Sequence, residues 1–130
     1  MEELTAFKNG EFGEIRAIGF KGEPWYVGKD VAAALGYKDL IGAIQSHVGV
    51  GDKMNSRELL KGESPLSFLG DKLDRASLLG LGPRGGWLIN ESGLESLALS
   101  SRLPRAMEFR RWVAQEVTPR IRKHGADITP

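Results

Sequence analysis

GEPWYVGKDVAAALGY, Gly22 to Tyr37, is the stretch that decides the fold. Its first half is a run of β-formers, Trp25-Tyr26-Val27, entered through the turn-like Lys21-Gly22-Glu23-Pro24. Its second half reads as a short helix. Val31, Ala34 and Leu35 share one face, Gly28 offers a cap, and Asp30 in the first turn complements the helix dipole. Gly36 supplies the left-handed stop. A strand that feeds straight into a helix implies a sheet with helices laid against it.

Upstream, Leu4 to Phe20 reads as two strands separated by the Asn9-Gly10 turn, which completes an antiparallel meander ending at Val27. Downstream, a second helix is expected from Leu40 to Val48, with Leu40 or Ile41, Ile44 and Val48 at helical spacing. Helix, glycine turn, helix over about residues 30–48 is the outline of a helix-turn-helix. One position fits poorly. Such a unit wants an apolar residue six places after its turn glycine, and Gly42 stands there; Ile41 and Ile44 fit only with the register shifted by one.

Gly49 to Gly86 is less regular. Gly49-Val50-Gly51-Asp52, Gly62-Glu63-Ser64-Pro65 and Gly80 to Gly86 read as turns, Leu66 to Leu69 as a short strand and Asp71 to Leu79 as a short helix. Trp87-Leu88-Ile89 reads as a buried strand. Asn90 or Ser92 caps the helix that follows, Ser92 with Glu95 matches a capping box, and Leu94, Leu97 and Ala98 form its apolar face. Ser100 to Pro104 is a short connection. A basic C-terminal helix then spans about residues 104–123, with Ala106, Phe109, Val113 and Val117 in one stripe and Trp112 on its flank. Pro119 kinks or ends this helix, and Gly125 is a natural stop. The fold class is α+β: a small antiparallel sheet of five or six strands, with hairpins, packed with about four helices. Residues 1–125 form one domain, and 126–130 are a tail or the start of a linker to a second domain.

The bulk composition is that of a soluble globular chain: 130 residues, 41% apolar and 27% charged. No apolar run approaches the roughly 18 residues of a membrane helix, and the start, MEELTAFKNGEF, is no signal peptide. With no cysteine there is no disulfide framework or thiolate metal site, in keeping with a reducing cytoplasm. The net charge of +1 hides an uneven layout. Arg102 to His124 holds seven Lys/Arg against two Glu, whereas Met1 to Ser101 holds 11 against 14 Asp/Glu. A concentrated basic element is the footprint of anion or nucleic-acid binding.

Enzymatic signatures are missing from the sequence. His47 and His124 lie far apart and in no HExxH pattern, there is no G-x-S-x-G elbow, and GLGPRGG lacks the lysine and hydroxyl of a P-loop. No catalytic residue, cofactor or metal is assigned.

Two long motifs carry a family resemblance. GEPWYVGKDVAAALGY, and WLINESGLESLALSSRLPRAMEFRRWVAQEVTPRIRKHG from Trp87 to Gly125, resemble the two halves of the BRO family N-terminal domain, Bro-N, in the right order. Gly28 replaces the usual alanine before Lys29-Asp30, Glu95 stands where an aromatic is common, and GVGDK is less acidic than the family's stretch there. Bro-N domains occur in prophage antirepressors and large DNA viruses. The resemblance therefore implies DNA binding and gene regulation in a bacterial host cell, at the nucleoid, with a second domain usually following.

Candidate residues follow from helix chemistry. In a helix-turn-helix the second helix offers polar side chains to base edges, and here Lys38, Gln45, Ser46 and His47 are available. Arg102, Arg105, Arg110, Arg111 and Arg122 are the candidates for phosphate contact. The bland alternative makes Arg105, Arg110 and Arg111 a solvated face weakly paired with Glu108 and Glu116. Phe109 and Trp112 are read as packing residues, as are Trp25 and Trp87. The expected partner is double-stranded DNA. A phage repressor protein is the alternative partner, and two half-sites would call for a homodimer.

Overall fold

A computed structural model describes residues 5–56 and 86–126. The turn expected at Gly62 to Pro65, the short strand at Leu66 to Leu69, the helix at Asp71 to Leu79 and most of the GLGPRGG loop lie outside the described residues. The described residues form an α+β unit. Five strands, β1 (Thr5–Asn9), β2 (Gly13–Phe20), β3 (Glu23–Val27), β4 (Lys53–Asn55) and β5 (Trp87–Ile89), make one antiparallel sheet in the order β1-β2-β3-β5-β4. The helices are α1 (Gly28–Ala34), α2 (Leu40–His47), α3 (Glu91–Ser100), α4 (Ala106–Trp112) and α5 (Thr118–Ala126), the last two joined by a π-helical turn at Val113–Val117. The four helices expected within the described residues are present, with α4, the π turn and α5 as the C-terminal one.

The meander forms where its turn residues place it. Asn9 Oδ1 accepts from the backbone N–H of Glu11 and Phe12 at 2.8 and 3.1 Å, and Gly13 takes φ +82° to close the first hairpin. Lys21 and Gly22, at φ 54° and 77°, supply the paired left-handed residues of a tight two-residue hairpin, with Phe20 opposite Glu23. Alternation then sorts the side chains. Phe7, Ile15, Ala17, Tyr26 and Ile89 join one core with the buried faces of all five helices. Ile18, Trp25, Val27 and Leu88 form a second, smaller cluster.

Four local expectations are corrected or narrowed. Gly28 is not a cap: Val27 holds that position without a side-chain bond, and Gly28 is the first helical residue. A Cβ there would lie 2.8 Å from Ile44 Cδ1 and 3.2 Å from the Trp87 carbonyl oxygen, so glycine fits because α2 and β5 both press on the site. Asp30 does more than meet the helix dipole. It accepts from Arg16 Nε and Nη2 at 2.8 and 3.0 Å and from the Arg16 backbone N–H at 3.1 Å, fastening α1 to β2. The cap of α3 is Asn90, whose Oδ1 accepts from the Gly93 N–H at 2.9 Å, rather than a Ser92–Glu95 box. Its Nδ2 is held by Asp52 Oδ1 at 3.2 Å. Finally, Pro119 does not end the C-terminal helix, which runs on to Ala126. A proline ring crowds the carbonyl four residues back, here Gln115, and the wide π turn spans that residue.

The stripe on the C-terminal helix is as expected. Ala106, Phe109, Trp112, Val113 and Val117 are all buried. Phe12, from the first hairpin, meets Phe109 edge-on at 5.4 Å and stacks on Trp112 at 6.3 Å. Tyr26, fully buried on β3, bonds Thr118 Oγ1 at 2.5 Å and ties α5 to the sheet centre. Among the described residues no helix is long and apolar enough to cross a membrane.

Candidate nucleic-acid interface

The α2 helix is set by its first turn. Asp39 caps it, its Oδ1 accepting from the Gly42 N–H at 3.0 Å. A Cβ on Gly42 would lie 2.2 Å from Asp39 Oδ2, so the residue that disagrees with a helix-turn-helix register is the one that leaves room for the cap. Ala43, Ile44 and Val48 are buried, and α2 packs against α1 and α3. Ile41, 58% exposed, Gln45 and Ser46 lie away from this core, and His47 is exposed at the helix end. Gln45, Ser46 and His47 are thus all exposed, but Gln45 and His47, two positions apart, project to different sides of the helix. The turn before it, Leu35 to Asp39, contains Gly36 at φ +84° and exposes Lys38.

A second loop lies beside this turn, between α3 and α4. Ser101 Oγ donates to the Leu35 carbonyl at 2.8 Å, and Tyr37 Oη donates to the Leu97 carbonyl at 2.7 Å. Burial pushes the Tyr37 hydroxyl above its ordinary pKa, which keeps it a donor. A groove of about 570 Å³ runs between the two loops, lined by Tyr37, Lys38, His47, Arg102, Leu103 and Pro104 among others. The His47 and Tyr37 rings sit 5.7 Å apart, so His47 packs on the tyrosine at the end of α2 while staying exposed. Lys38, His47 and Arg102, remote in sequence, are thus brought to one concave surface. Lys38 and Arg102 make no ion pair among the described residues.

The arginines of the C-terminal helix are placed differently. Arg105 is bound to Glu108, at 2.6 Å, and to Glu11. Arg110 Nε lies 2.5 Å from Glu95 Oε2, and Arg122 pairs with Glu91. Glu91 and Glu95 are one turn apart on α3, so that helix offers two carboxylates to the C-terminal helix. Glu95, which departs from the family's pattern, is the partner of Arg110. Glu116, a partner for arginine in the bland alternative, instead accepts from Trp112 Nε1 at 2.8 Å. Arg111 is exposed and makes no ion pair among the described residues. Arg120 lies over the Phe7 ring at 6.0 Å.

The sequence reading missed Glu91, Glu95, Tyr37 and Ser101. Nothing in the linear pattern distinguishes these carboxylates and hydroxyls from ordinary surface residues. Their partners lie between 15 and 66 positions away. No group of three or more His, Asp or Glu among the described residues is arranged to hold a metal ion.

The model of the BRO family, N-terminal domain, matches residues 14–119. The chain is 38% identical over 115 residues to the Bro-N domain-containing protein 289L of Invertebrate iridescent virus 6, covering 87% of this chain and 27% of that protein. It is 33% identical over 126 residues to the Bro-N domain-containing protein 201R of the same virus, covering 96% of this chain and 30% of that one. It is also 33% identical over 105 residues to an uncharacterized Haemophilus influenzae protein, covering 81% of this chain and 43% of that one. The chain thus spans less than half the length of these relatives. No solved structure matches it. The match across both motifs and most of the intervening length has one meaning: the chain belongs to the BRO family and carries its N-terminal domain.

Proposed function

We propose that this domain binds duplex DNA without catalysis, as part of an antirepressor-type transcriptional regulator of phage or prophage origin. The observation that supports the reading is the gathering of Lys38, His47 and Arg102 on one groove at the end of α2, which also exposes Gln45, with both cations unpaired among the described residues. An exposed helix that offers Gln45 and His47, with free cations beside His47, has the chemistry to meet base edges and phosphates. Arg111 adds an unpaired cation on the C-terminal helix. Arg105, Arg110 and Arg122 serve first as cross-ties, and phosphate would have to compete with Glu11, Glu108, Glu95 and Glu91 for them. Family membership supports the reading.

Selection of duplexes from a random-sequence pool on the immobilised protein, followed by fluorescence anisotropy of the enriched sequence, tests it. Enrichment of a motif, with affinity falling steeply as salt rises, is the expected result. No retained DNA at low salt would refute it. In that event the same exposed side, with Ile41 at 58% exposure beside the polar residues, favours the second reading: a module that binds and inactivates a repressor protein.

A further inference from the structure

We infer that the groove between the Leu35–Asp39 turn and the α3–α4 loop is a preformed clamp for one phosphodiester of a nucleic-acid strand. Lys38 and Arg102 are its two cations, and Tyr37 and Ser101 are the residues that position them. The inference rests on the DNA-binding reading and deepens it.

The geometry is reciprocal. Each cation directly follows a residue whose side chain reaches across to the other segment. Tyr37, just before Lys38, donates to the carbonyl of Leu97 at 2.7 Å; Ser101, just before Arg102, donates to the carbonyl of Leu35 at 2.8 Å. The Leu103 N–H then donates back to Ser101 Oγ at 3.0 Å, which folds the loop around that hydroxyl. A Cβ on Gly36, at φ +84°, would meet only the Leu103 side chain, at 3.8 Å. The two loops are therefore fastened at backbone level, while their cations stay exposed.

Such an arrangement lowers the ordering cost of binding, because the segments carrying the charges are already fixed. The groove's walls of Leu103, Pro104 and the Tyr37–His47 pair favour the apolar flank of a sugar beside the phosphate. Asp39 is the carboxylate of the turn, and its Oδ1 is engaged by the N-terminus of α2. By contrast, Arg105, Arg110 and Arg122 already hold carboxylates, so they lack the free valence this site has.

The test is anisotropy of a labelled duplex of the selected sequence across a salt series. The proteins compared are the unaltered chain, Lys38→Ala, Arg102→Ala, the Lys38→Ala/Arg102→Ala double variant, Tyr37→Phe, Ser101→Ala and Ser101→Thr, each measured well below its melting temperature. Lys38→Ala and Arg102→Ala should each make the slope of log K against log salt shallower, and together by about 0.9 for the single shared phosphate. Tyr37→Phe and Ser101→Ala should weaken binding by roughly threefold to tenfold while leaving the slope unchanged, because both cations remain. Ser101→Thr keeps the hydroxyl and should restore affinity. A merely structural role would move the melting temperature and leave the affinity of the folded protein intact. Unchanged slope and affinity in the Lys38→Ala/Arg102→Ala double variant would overturn the clamp while leaving DNA binding standing. No binding by the unaltered chain would overturn the DNA reading and the clamp with it.

Discussion

Trp112→Ala should be the costliest single truncation in the C-terminal helix. The indole is 9% exposed, stacks on Phe12 at 6.3 Å, meets Phe109 at 5.9 Å, and donates to Glu116 at 2.8 Å. Emptying a buried tryptophan site costs about 3–5 kcal/mol. The aromatic contacts lie in the range where ring pairs add about 0.5–1.5 kcal/mol each, which places the loss toward the upper part of that range. A domain of this length shifts its melting temperature by roughly 4 °C per kcal/mol, so the variant should melt roughly 12–20 °C lower. Trp112→Phe keeps the ring contacts and loses the indole donor, and should cost only about 1 kcal/mol beyond the smaller ring. Urea and thermal unfolding followed by circular dichroism measure both. A melting temperature unchanged in the alanine variant would refute the packing role. So would a variant of full stability that had lost DNA affinity, since that would mean Trp112 stacks on bases.

Other perturbations probe other layers. Gly93→Ala should destabilise by about 1–3 kcal/mol, because the new Cβ would sit 3.0 Å from both the Asp52 carbonyl oxygen and Val48 Cγ1 and 3.1 Å from Ile89 Cβ; an unaffected unfolding midpoint would show that the Val48–Asp52 segment and β5 can yield there. Burial pushes the Tyr26 hydroxyl up to about 12, against the partial opposing effect of its bond with Thr118. The folded chain thus holds this proton more tightly than the unfolded one, whose tyrosine titrates near 10. Its contribution is complete below pH 10 and is lost as the pH rises toward 12, by roughly 2–3 kcal/mol; unfolding of Tyr26→Phe should be flatter over that window, and an identical pH profile would contradict the assignment. Gln45→Ala should change which sequences are selected more than it changes total affinity; an unaltered selected motif would remove Gln45 from the reading surface.

The strand–helix junction at Gly22–Tyr37 was legible because its signals are local. A positive-φ turn, β-formers and a 3.6-residue apolar pattern each span only a few neighbours. The stripe on the C-terminal helix was legible for the same reason. What escaped depends on distant partners. Three residues, Lys53–Asn55, carry no alternation from which to read β4, and Gly49 to Asp52 gives a turn pattern where the chain forms a short 3₁₀ helix, Val50–Asp52. Asp30 looks like a helix-dipole residue until Arg16, 14 positions earlier, is brought beside it. Pro119 reads as a kink or an end, and only the structure shows the π turn before it and the helix running on past it. The candidate site shows the same limit. The sequence points to a row of arginines on one helix, but folding pairs Arg105, Arg110 and Arg122 with carboxylates from three parts of the chain. It leaves open a different set, Lys38 and Arg102, brought together across more than 60 positions.

The most direct test of that arrangement is a titration of the ¹⁵N-labelled domain with the selected duplex, followed by amide chemical shifts. Shifts concentrated at Tyr37 to His47 and Ser100 to Arg105 are the predicted result. Shifts confined to the C-terminal helix, with the α2 surface and its neighbouring loop unmoved, would contradict it.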